Sequence, residues 1–471
     1  MSGAAAAVAR TTFWTRDRVA DALASSATVN LPRGSGQFGR VWTDTRTIAS
    51  GDLFVALAGE RFDAHDLLGE AVANGASGLV VARPDAARGL AVPVFAVGDT
   101  LAALGQLATY RRRAWGRPVV GVVGTNGKTS TKELLRAALG SVLDVHATTG
   151  NLNNLIGVPL TLLGIRDEAD VAVVEMGTNQ PGEVPRLRAI VEPDITVVTS
   201  IAEEHLEGLG DLAGVLREEL AAADSVAVAI VPAGQPEVAD AARSRARRVV
   251  AAGLDSGDVQ AENWGVESDG SGRLRVSGVD VQVPLRGAHN LRNAMLALAV
   301  ARELGVSTEA AARGIAAMSA PPMRSSIEQI GAATLINDAY NSNPGSARAA
   351  IELLCHAGAG RQRVAILGTM LELGPQTPRL HDEVARHALD CGVEVVAAIG
   401  EFASALQRIA PGEPHVITAS DVDELWQRLA PRLAADAVIL LKGSRGMRLE
   451  RLVEPITDWA RQQAGVAPAA G

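Results

Sequence analysis

The feature that most constrains the fold is a repeated unit in which a short run of branched apolar residues leads into a turn and a helix-like segment. The clearest example starts at Pro118, where PVVGVVG is followed by a glycine-rich turn and the helix-like TSTKELLRAAL. Similar apolar runs start at 171 (VAVVEMG), 195 (ITVVTS) and 226 (VAVAIVP). Continuous apolar strands separated by crossover-length segments are typical of a parallel sheet with helices on both faces. The sequence therefore predicts an α/β protein with a mainly parallel sheet.

The length of 471 residues predicts about three domains, since a domain takes roughly 150 residues. Residues 1–112 form a mixed unit with short strands and end in a basic helix tail. Residues 113–320 contain the strongest strand and loop signals, with a polar, glycine-rich insertion at 253–278. In residues 321–471 the alternation restarts with ATLIND, VAILGTM, VEVVAAIG, HVITA and AVILLKG, which predicts a second α/β unit.

Charge and apolar patterning exclude several classes of function. Basic residues number 44 and acidic residues 53, for a net charge of −9, and no dense basic block is present, so we expect no nucleic-acid partner. No apolar run reaches the roughly 18 residues that span a bilayer, so we expect no membrane insertion. The first residues lack an export signal, which predicts a cytoplasmic protein; we also expect a monomer. Cys355 and Cys391 have no metal-site or disulfide spacing and are predicted to be buried thiols.

The segment GTNGKTS lies between a predicted strand and a predicted helix, the setting in which glycines and a lysine form a phosphate-binding loop. Backbone N–H groups and the helix N-terminus attract anionic oxygens, Lys128 can reach terminal phosphates, and the Thr129 hydroxyl can bind magnesium. A full phosphate-loop pattern has glycine at position 122, where this chain has Val122, so the motif is a shortened variant. The alternative is a helix cap with a chance lysine. The nucleotide-binding residues predicted here are Gly124, Thr125, Asn126, Gly127, Lys128, Thr129 and Ser130.

Acidic and histidine side chains follow two of the predicted strands. Glu175 ends VAVVE, and His205 follows ITVVTS within AEEHLEG. Ligands of parallel sheets bind at the carboxyl ends of strands, so both side chains can reach the phosphate-loop region and hold magnesium. A histidine near a helix start is also a common capping or surface group, so His205 on its own is a weak signal.

Several ordered motifs resemble the muramyl ligase family along essentially the whole chain. The central part carries GTNGKTS, TTGNLNNLIGVPLTLL, EMGTNQPGEV, HLEGLG and GAHNLRNA; the downstream part carries MRSSIEQI, NDAYNSNPGS, LGTMLELG and KGSRGMRLE. The upstream segment TDTRTIASGDLFVALAGERFDAHD is similar to the UDP-substrate domain of that family. The resemblance implies a small mixed α/β UDP-substrate domain (1–112), a central P-loop ATPase domain (113–320) and a C-terminal Rossmann-like α/β domain (321–471) that binds an incoming dipeptide.

The resemblance implies an ATP- and Mg²⁺-dependent ligase that forms a C–N bond and releases ADP. The downstream motifs are similar to the member that adds D-alanyl-D-alanine to UDP-N-acetylmuramoyl-tripeptide in peptidoglycan synthesis. In that chemistry the tripeptide carboxylate attacks the γ-phosphate, and the dipeptide amine then attacks the acyl phosphate. Charge develops on oxygens at each step, which fits a lysine, a magnesium ion and backbone N–H groups.

By resemblance, roles fall on particular residues. Lys128, Glu175 and His205 are the expected catalytic residues, and the metal would be held by Thr129, Glu175, His205 and Glu219. Further ATP contacts are expected from Asn290, Asn293, Arg324, Asp338 and Tyr340. The expected substrate contacts are Thr45, Arg46, Asn341, Asn343, Lys442, Ser444 and Arg445, with Thr45 and Arg46 near the uridine diphosphate. Two alternatives stay open: Asn341 and Asn343 as a plain turn, and Lys442, Ser444 and Arg445 as a solvated loop.

The chain departs from the family at one position. Family members carry a lysine 14 residues after the histidine of HLEG, whose carbamate helps hold a second magnesium, and this chain has Glu219 there. We expect the Glu219 carboxylate to replace the carbamate, because both offer hard oxygen ligands, although the glutamate side chain is much shorter. The alternatives are a single tightly bound magnesium or a solvated helix face.

Two other functions remain open at this point. The missing lysine favours a non-catalytic sensor of nucleotides or UDP-muramyl precursors, whereas the complete set of Lys128, Thr129, Glu175 and His205 favours an enzyme. A ligase with the same chemistry and another amine acceptor is opposed only by the downstream motifs. The member that adds the third residue usually has a DNPR motif, which this chain lacks, and folate-related ligases usually begin near their phosphate loop.

Overall fold

The computed structural model describes residues 13–24, 36–59, 62–267, 269–319 and 326–463. The chain divides into two compact units. Unit 1 comprises Met1–Val119, His146–Met176 and Arg186–Glu192, and unit 2 comprises Val120–Val145, Gly177–Pro185 and Pro193–Gly471. The predicted domain boundaries at 112 and 320 concern functional domains and stay predictions.

Strands are numbered in chain order. They are β1 (Trp14–Thr15), β2 (Gln37–Phe38), β3 (Val41–Trp42), β4 (Leu53–Val55), β5 (Gly78–Val81), β6 (Val94–Ala96), β7 (Val119–Val123), β8 (Val145–Ala147), β9 (Val171–Glu175), β10 (Ile195–Val198), β11 (Val228–Pro232), β12 (Val249–Gly253), β13 (Val259–Gln260), β14 (Asn263–Val266), β15 (Gly272–Val276), β16 (Val279–Val283), β17 (Ser326–Ile330), β18 (Ala333–Asp338), β19 (Arg363–Leu367), β20 (Val395–Ile399), β21 (Val416–Ala419) and β22 (Val438–Lys442).

Helices are numbered in the same way. They are α1 (Arg16–Leu23), α2 (Leu68–Ala73), α3 (Thr100–Trp115), α4 (Lys128–Gly140), α5 (Gly157–Leu163), α6 (Glu183–Val191), α7 (Leu206–Leu209), α8 (Leu212–Leu220), α9 (Pro236–Arg243), α10 (Ala288–Glu303), α11 (Thr308–Ala316), α12 (Pro344–Ala357), α13 (Thr377–Asp390), α14 (Glu401–Ile409), α15 (Val422–Leu429) and α16 (Val453–Gln463).

Unit 1 is built around the four-stranded parallel sheet β3-β4-β5-β6. Side chains alternate between the faces of a strand, and here both faces are covered. Leu53 and Val55 pack in a cluster with Leu104 and Leu107 of α3, whereas Phe54 packs in a second cluster on the opposite face. Sequence signals set the limits of α3, because the Asp99 carboxylate caps its first turn and Gly116, with φ 71°, ends it.

Unit 2 begins with parallel strands in the order β13-β12-β11-β10-β7. Valine and isoleucine make up most of β7 (VVGVV) and β10 (ITVV), and every residue of both strands is buried, which explains their mainly apolar pattern. Val123 pairs with Val198, so the loops that follow these two strands leave the same edge of the sheet. The insertion predicted at 253–278 overlaps a three-stranded antiparallel sheet, β14-β15-β16, which starts at Asn263 and ends at Val283.

The last sheet of unit 2 has the order β17-β18-β22-β19-β20-β21, with only β17 antiparallel to its neighbour. Lys442 at the end of β22 pairs with Asp338 of β18 and Leu367 of β19, so three loops start side by side. This alternation confirms the predicted α/β class with mainly parallel sheets. Within the described residues, no helix combines the length and apolar character needed to cross a membrane.

Candidate active site

The loop between β7 and α4 has the backbone conformation of a phosphate-binding loop. Gly124 and Gly127 have φ of 117° and 87°, values that side-chain-bearing residues rarely adopt. A Cβ on Gly124 would lie 2.5 Å from Thr199 Oγ1 and 2.8 Å from the Ser200 carbonyl oxygen. Helix α4 starts at Lys128, one residue before the TSTKELLRAAL segment, so the predicted strand, loop and helix are confirmed.

The loop is held by the segment that follows β10. Thr125 N–H donates to the Ser200 carbonyl at 2.7 Å, and Ala202 N–H donates to Thr125 Oγ1 at 3.0 Å. Asn126 N–H donates to Ser200 Oγ at 3.1 Å. Because these bonds join protein groups only, the loop is ordered before any ligand binds.

Lys128 lies over this loop. Its ammonium donates to the Gly124 carbonyl and, at 3.2 Å, to the Thr125 carbonyl. Thr129 and the buried Ser130 follow in the first turn of α4. The lysine ammonium therefore lies against the glycine loop, and its contact with a phosphate stays a prediction.

Glu219 lies in the interior of unit 2, on α8, with 3% of its surface exposed. Its Oε2 accepts the Gly124 N–H at 2.9 Å. Burial raises the pKa of this carboxyl, with nearby Lys128 opposing the rise. The alternative of a solvated helix face is therefore wrong. The sequence contains three lysines, Lys128, Lys132 and Lys442, and none lies between 133 and 441, so no lysine near Glu219 in sequence can supply the carbamate.

His205 adopts a left-handed backbone conformation with φ 52° and contacts two carboxylates. Its Nδ1 is in hydrogen-bond contact with Glu372 Oε2, and its Nε2 lies 3.8 Å from Glu204 Oε1. Glu204 is buried and accepts a hydrogen bond from Asn341 Nδ2 at 3.0 Å. The sequence analysis missed Glu204 and Glu372, although both lie within the motifs AEEHLEG and LGTMLELG.

The loops that follow β18, β19 and β22 meet around Lys442. This residue is 1% exposed; its Nζ lies 3.0 Å from Asp338 Oδ2 and donates to the Asn341 carbonyl. Ser444 is also buried, and its Oγ accepts Leu371 N–H at 3.0 Å. A solvated loop is therefore the wrong description of Lys442 and Ser444. Arg445 is exposed, and its guanidinium lies 5.5 Å from the centre of the Tyr340 ring.

Asn343 connects this downstream cluster to the phosphate loop. It is 2% exposed and forms a capping box with Ser346 at the start of α12. Its Nδ2 also donates to Asn126 Oδ1 at 2.7 Å. The backbone of Asn343 does form a turn ahead of α12, as one alternative stated. Its side chain also makes the long-range contact with Asn126.

Asn290 and Asn293 are buried on α10. Asn293 Nδ2 donates to Asn290 Oδ1 at 3.1 Å, and Asn290 Nδ2 donates to the Arg286 carbonyl at 2.8 Å. A Cβ on Gly127 would lie 2.7 Å from Asn293 Oδ1, so this asparagine lies against the phosphate loop. Arg324 falls outside the described residues.

The remaining predicted residues belong to unit 1. Glu175 is 2% exposed, accepts a hydrogen bond from Asn153 Nδ2 at 3.0 Å and has its N–H bonded to Thr148 Oγ1. Thr45 is buried. Arg46 is exposed and forms a two-point ion pair with Asp44, which lowers the pKa of Asp44 to about 2 through hydrogen bonding.

The donor chemistry fits magnesium. In unit 2, Thr129 offers a hydroxyl and Glu219 is a buried carboxylate, and both are hard oxygen ligands; in unit 1, Glu175 is also a buried carboxylate. Across the described residues, no three side chains of histidine, cysteine, aspartate or glutamate form a ready metal-binding group. Magnesium usually binds through one or two carboxylates together with water and substrate phosphates, so a complete protein cage is not required.

Cys355 and Cys391 are half-buried, not fully buried as predicted, and both are free thiols. Cys355 Sγ donates to the Cys391 carbonyl at 3.3 Å. They lie at the C-terminal ends of α12 and α13, so they are not among the site residues described above.

Two family models match the chain. The Mur ligase middle domain matches residues 122–301, and the model described as Mur ligase, glutamate ligase domain matches residues 323–445. Together they cover more than half of the sequence.

Curated and solved relatives cover nearly the whole chain. The UDP-N-acetylmuramoyl-tripeptide--D-alanyl-D-alanine ligase of Escherichia coli is 35% identical over 430 residues, which are 89% of this chain and 93% of the relative. The crystal structure of MurF from Acinetobacter baumannii has a TM-score of 0.85 at 31% identity and covers 94% of this chain and 99% of that chain. MurF from Thermotoga maritima in complex with ADP has a TM-score of 0.79 at 25% identity, covering 90% and 98%. The chain belongs to the Mur ligase family.

Proposed function

We propose that the protein is a UDP-N-acetylmuramoyl-tripeptide:D-alanyl-D-alanine ligase. It would use ATP to join the dipeptide to the UDP-linked tripeptide and form the UDP-muramyl pentapeptide of peptidoglycan synthesis. The names of the E. coli and A. baumannii relatives and their full-length similarity support this choice. The observation that carries it is the Asn126–Asn343 bond, which joins a phosphate loop to the buried Lys442–Asp338 cluster within one compact unit.

The proposed reaction forms an acyl phosphate. The tripeptide carboxylate attacks the γ-phosphorus of ATP and ADP leaves; the dipeptide amine then attacks the acyl carbon, loses a proton and expels phosphate. Negative charge on the transferred oxygens would be stabilised by Lys128 and by the N–H groups at the start of α4. The existing bonds from Thr125 and Asn126 to Ser200 keep these groups in place.

Magnesium belongs to the proposal as well. Thr129, Glu175, His205 and Glu219 would hold it, and the ion would neutralise charge on the ATP phosphates. Asn290, Asn293, Arg324, Asp338 and Tyr340 would contact ATP. Thr45 and Arg46 would contact the uridine diphosphate, and Asn341, Asn343, Lys442, Ser444 and Arg445 the other substrates.

Arg445 is the best donor for the dipeptide carboxylate within this set. Its guanidinium is exposed beside Tyr340, whereas the Lys442 ammonium is engaged with Asp338 and Asn341. An arginine can bind a carboxylate through two parallel hydrogen bonds, which fixes the orientation of the ligand. We also propose that the protein is a monomer and is located in the cytoplasm.

The test of the function is direct. The purified protein is incubated with UDP-muramyl tripeptide, D-alanyl-D-alanine, Mg²⁺ and ATP, while phosphate release and the pentapeptide mass are measured. We expect product only when all substrates are present, and none with Lys128→Ala. Binding of ATP and UDP-tripeptide without phosphate release would favour a sensor. Phosphate release with another amine only would refute the dipeptide as acceptor.

Glu219 has its own test, because it stands where the family resemblance implies a carbamoylated lysine. We expect wild-type activity to be unchanged when bicarbonate is removed, since a carboxylate needs no carbon dioxide. Glu219→Gln should lower activity about tenfold or more by removing the charge while keeping the shape. Glu219→Lys should recover part of that activity only when bicarbonate is added. A bicarbonate-dependent wild type, or a fully active Glu219→Ala, would contradict the proposal.

A further inference from the structure

His205 and Glu372 meet across 167 positions of sequence, and both have left-handed backbones with φ of 52° and 64°. For residues other than glycine this conformation is sparsely populated, and it persists where the surrounding structure imposes it. The two side chains are joined through His205 Nδ1 and Glu372 Oε2. The fold therefore holds His205 and Glu372 in contact although both residues have an unfavourable backbone conformation.

The backbone around Glu372 is fixed at three consecutive residues. Met370 N–H donates to Nε2 of the fully buried His381 at 2.9 Å, and Leu371 N–H donates to Ser444 Oγ at 3.0 Å. The Glu372 carbonyl accepts Glu207 N–H at 3.1 Å. Glu372 is thus delivered to His205 by a rigid loop, although 48% of its own side chain is exposed.

The contact with Glu372 favours a proton on Nδ1 of the imidazole ring. An ionised carboxylate only accepts hydrogen bonds, so Nδ1 must donate, and in a neutral imidazole Nε2 then presents a lone pair. The Nε2 atom lies 3.8 Å from Glu204 Oε1, and the Glu204 carboxylate is held in place by Asn341. Two electron-rich atoms at this separation in a partly buried place favour a cation between or beside them.

We propose that Glu372 is a positioning residue that holds His205 in the Nδ1-protonated tautomer and directs its Nε2 toward the magnesium ion. This inference rests on the proposed metal role of His205. Carboxylates that orient metal-binding histidines are a general device, and their loss typically lowers metal affinity about 10- to 100-fold. The chain supplies this carboxylate from the LGTMLELG loop, far in sequence from the histidine itself.

The tautomer is measured first, without any substrate. In ¹⁵N-histidine-labelled protein at pH 8, the His205 signals are assigned by their loss in His205→Gln, and two-bond ¹⁵N–¹H correlations identify the protonated nitrogen. We expect Nδ1–H in the wild type, a mixture of tautomers in Glu372→Ala, and the wild-type pattern in Glu328→Gln, a control that removes one exposed carboxylate on β17. An unchanged His205 pattern in Glu372→Ala overturns the proposal.

The second readout is the magnesium dependence of ATP turnover. For Glu372→Ala we expect the apparent Mg²⁺ constant to rise about tenfold or more, with kcat largely recovered at saturating Mg²⁺ and partial rescue by Glu372→Asp. A loss of kcat with no change in the Mg²⁺ constant would overturn the metal-directing role. The NMR result stands whether or not the wild type makes the pentapeptide, so failure of the ligase proposal and failure of this one are distinguishable.

Discussion

At the residue scale, the surroundings of a side chain determine its reactivity, which the residue type alone does not specify. Cys355 illustrates this, because its thiol is half-buried and donates to the Cys391 carbonyl. Burial raises the pKa of the Cys355 thiol from 9.0 to about 11. Since the thiolate is the reactive form, the fold makes this cysteine inert near neutral pH.

Alkylation kinetics test the Cys355 pKa. In Cys391→Ser, where Cys355 is the only thiol, the rate of iodoacetamide modification should rise about tenfold per pH unit through pH 10. When the same variant is unfolded in guanidinium, the modification rate should level off near pH 9, the ordinary pKa of a cysteine thiol. At pH 8 the folded chain should hold about a hundredth of the thiolate of the unfolded chain. A folded-state rate that levels off near pH 9 would contradict the shift.

At the element scale, the connection from β7 to α4 depends on backbone space as much as on dihedral angles. Gly124 faces the Ser200 carbonyl and Thr199, so its missing side chain lets the loops after β7 and β10 touch. The same approach lets Gly124 N–H reach Glu219. One glycine therefore sets both the shape of the phosphate loop and its contact with a buried carboxylate.

Gly124→Ala should disrupt both the shape of the phosphate loop and its contact with Glu219. We expect a loss of about 1–3 kcal/mol in stability, because a left-handed alanine is strained and its Cβ meets backbone, together with weakened ADP binding. Gly265→Ala is the matched control, since its Cβ would meet open space in β14, and it should change stability by no more than about 0.5 kcal/mol. Thermal unfolding and calorimetric titration with ADP measure the two effects. Equal behaviour of the two variants would argue against the steric account.

At the scale of the whole molecule, unit 2 joins residues from both family-model regions. Asn343 caps α12 and reaches Asn126, and Asn341 reaches Glu204. Arg379 NH2 also lies 3.2 Å from Glu203 Oε1. These contacts connect residues after 340 with the loops after β7 and β10, so the downstream sheet helps to position the loops that we propose bind the nucleotide.

Substitutions at Asn343 separate the cap from the long-range bond. Serine caps helices well but is too short to reach Asn126, so Asn343→Ser should keep thermal stability close to the wild type and raise KM for ATP several-fold. Asn343→Ala removes the cap as well and should cost about 1 kcal/mol more. Thermal unfolding and initial rates at varied ATP provide the comparison. An unchanged KM in both variants would show that the bond to Asn126 is dispensable.

Local sequence signals determined much of the fold. The β-branched run before GTNGKTS specified β7, and the glycines specified the loop. Lys128 could be placed at the end of this loop because its position depends only on its neighbours along the chain. The same alternation predicted the parallel strands of both large sheets of unit 2, since buried strands and crossover helices have distinct periodicities. The motif resemblance assigned the family, which the comparisons confirm.

The tertiary structure alone decided which side chains meet. His205 and Glu372 are 167 positions apart, and no periodicity specifies that two left-handed residues face each other. Likewise, the sequence left Glu219 open between a metal ligand, a site with one tightly bound magnesium and a solvated helix face, and burial against Gly124 removed only the solvated face. Sequence patterns report the conformation of neighbouring residues, whereas desolvation and hydrogen bonding between distant segments arise only when the sheets and loops have packed.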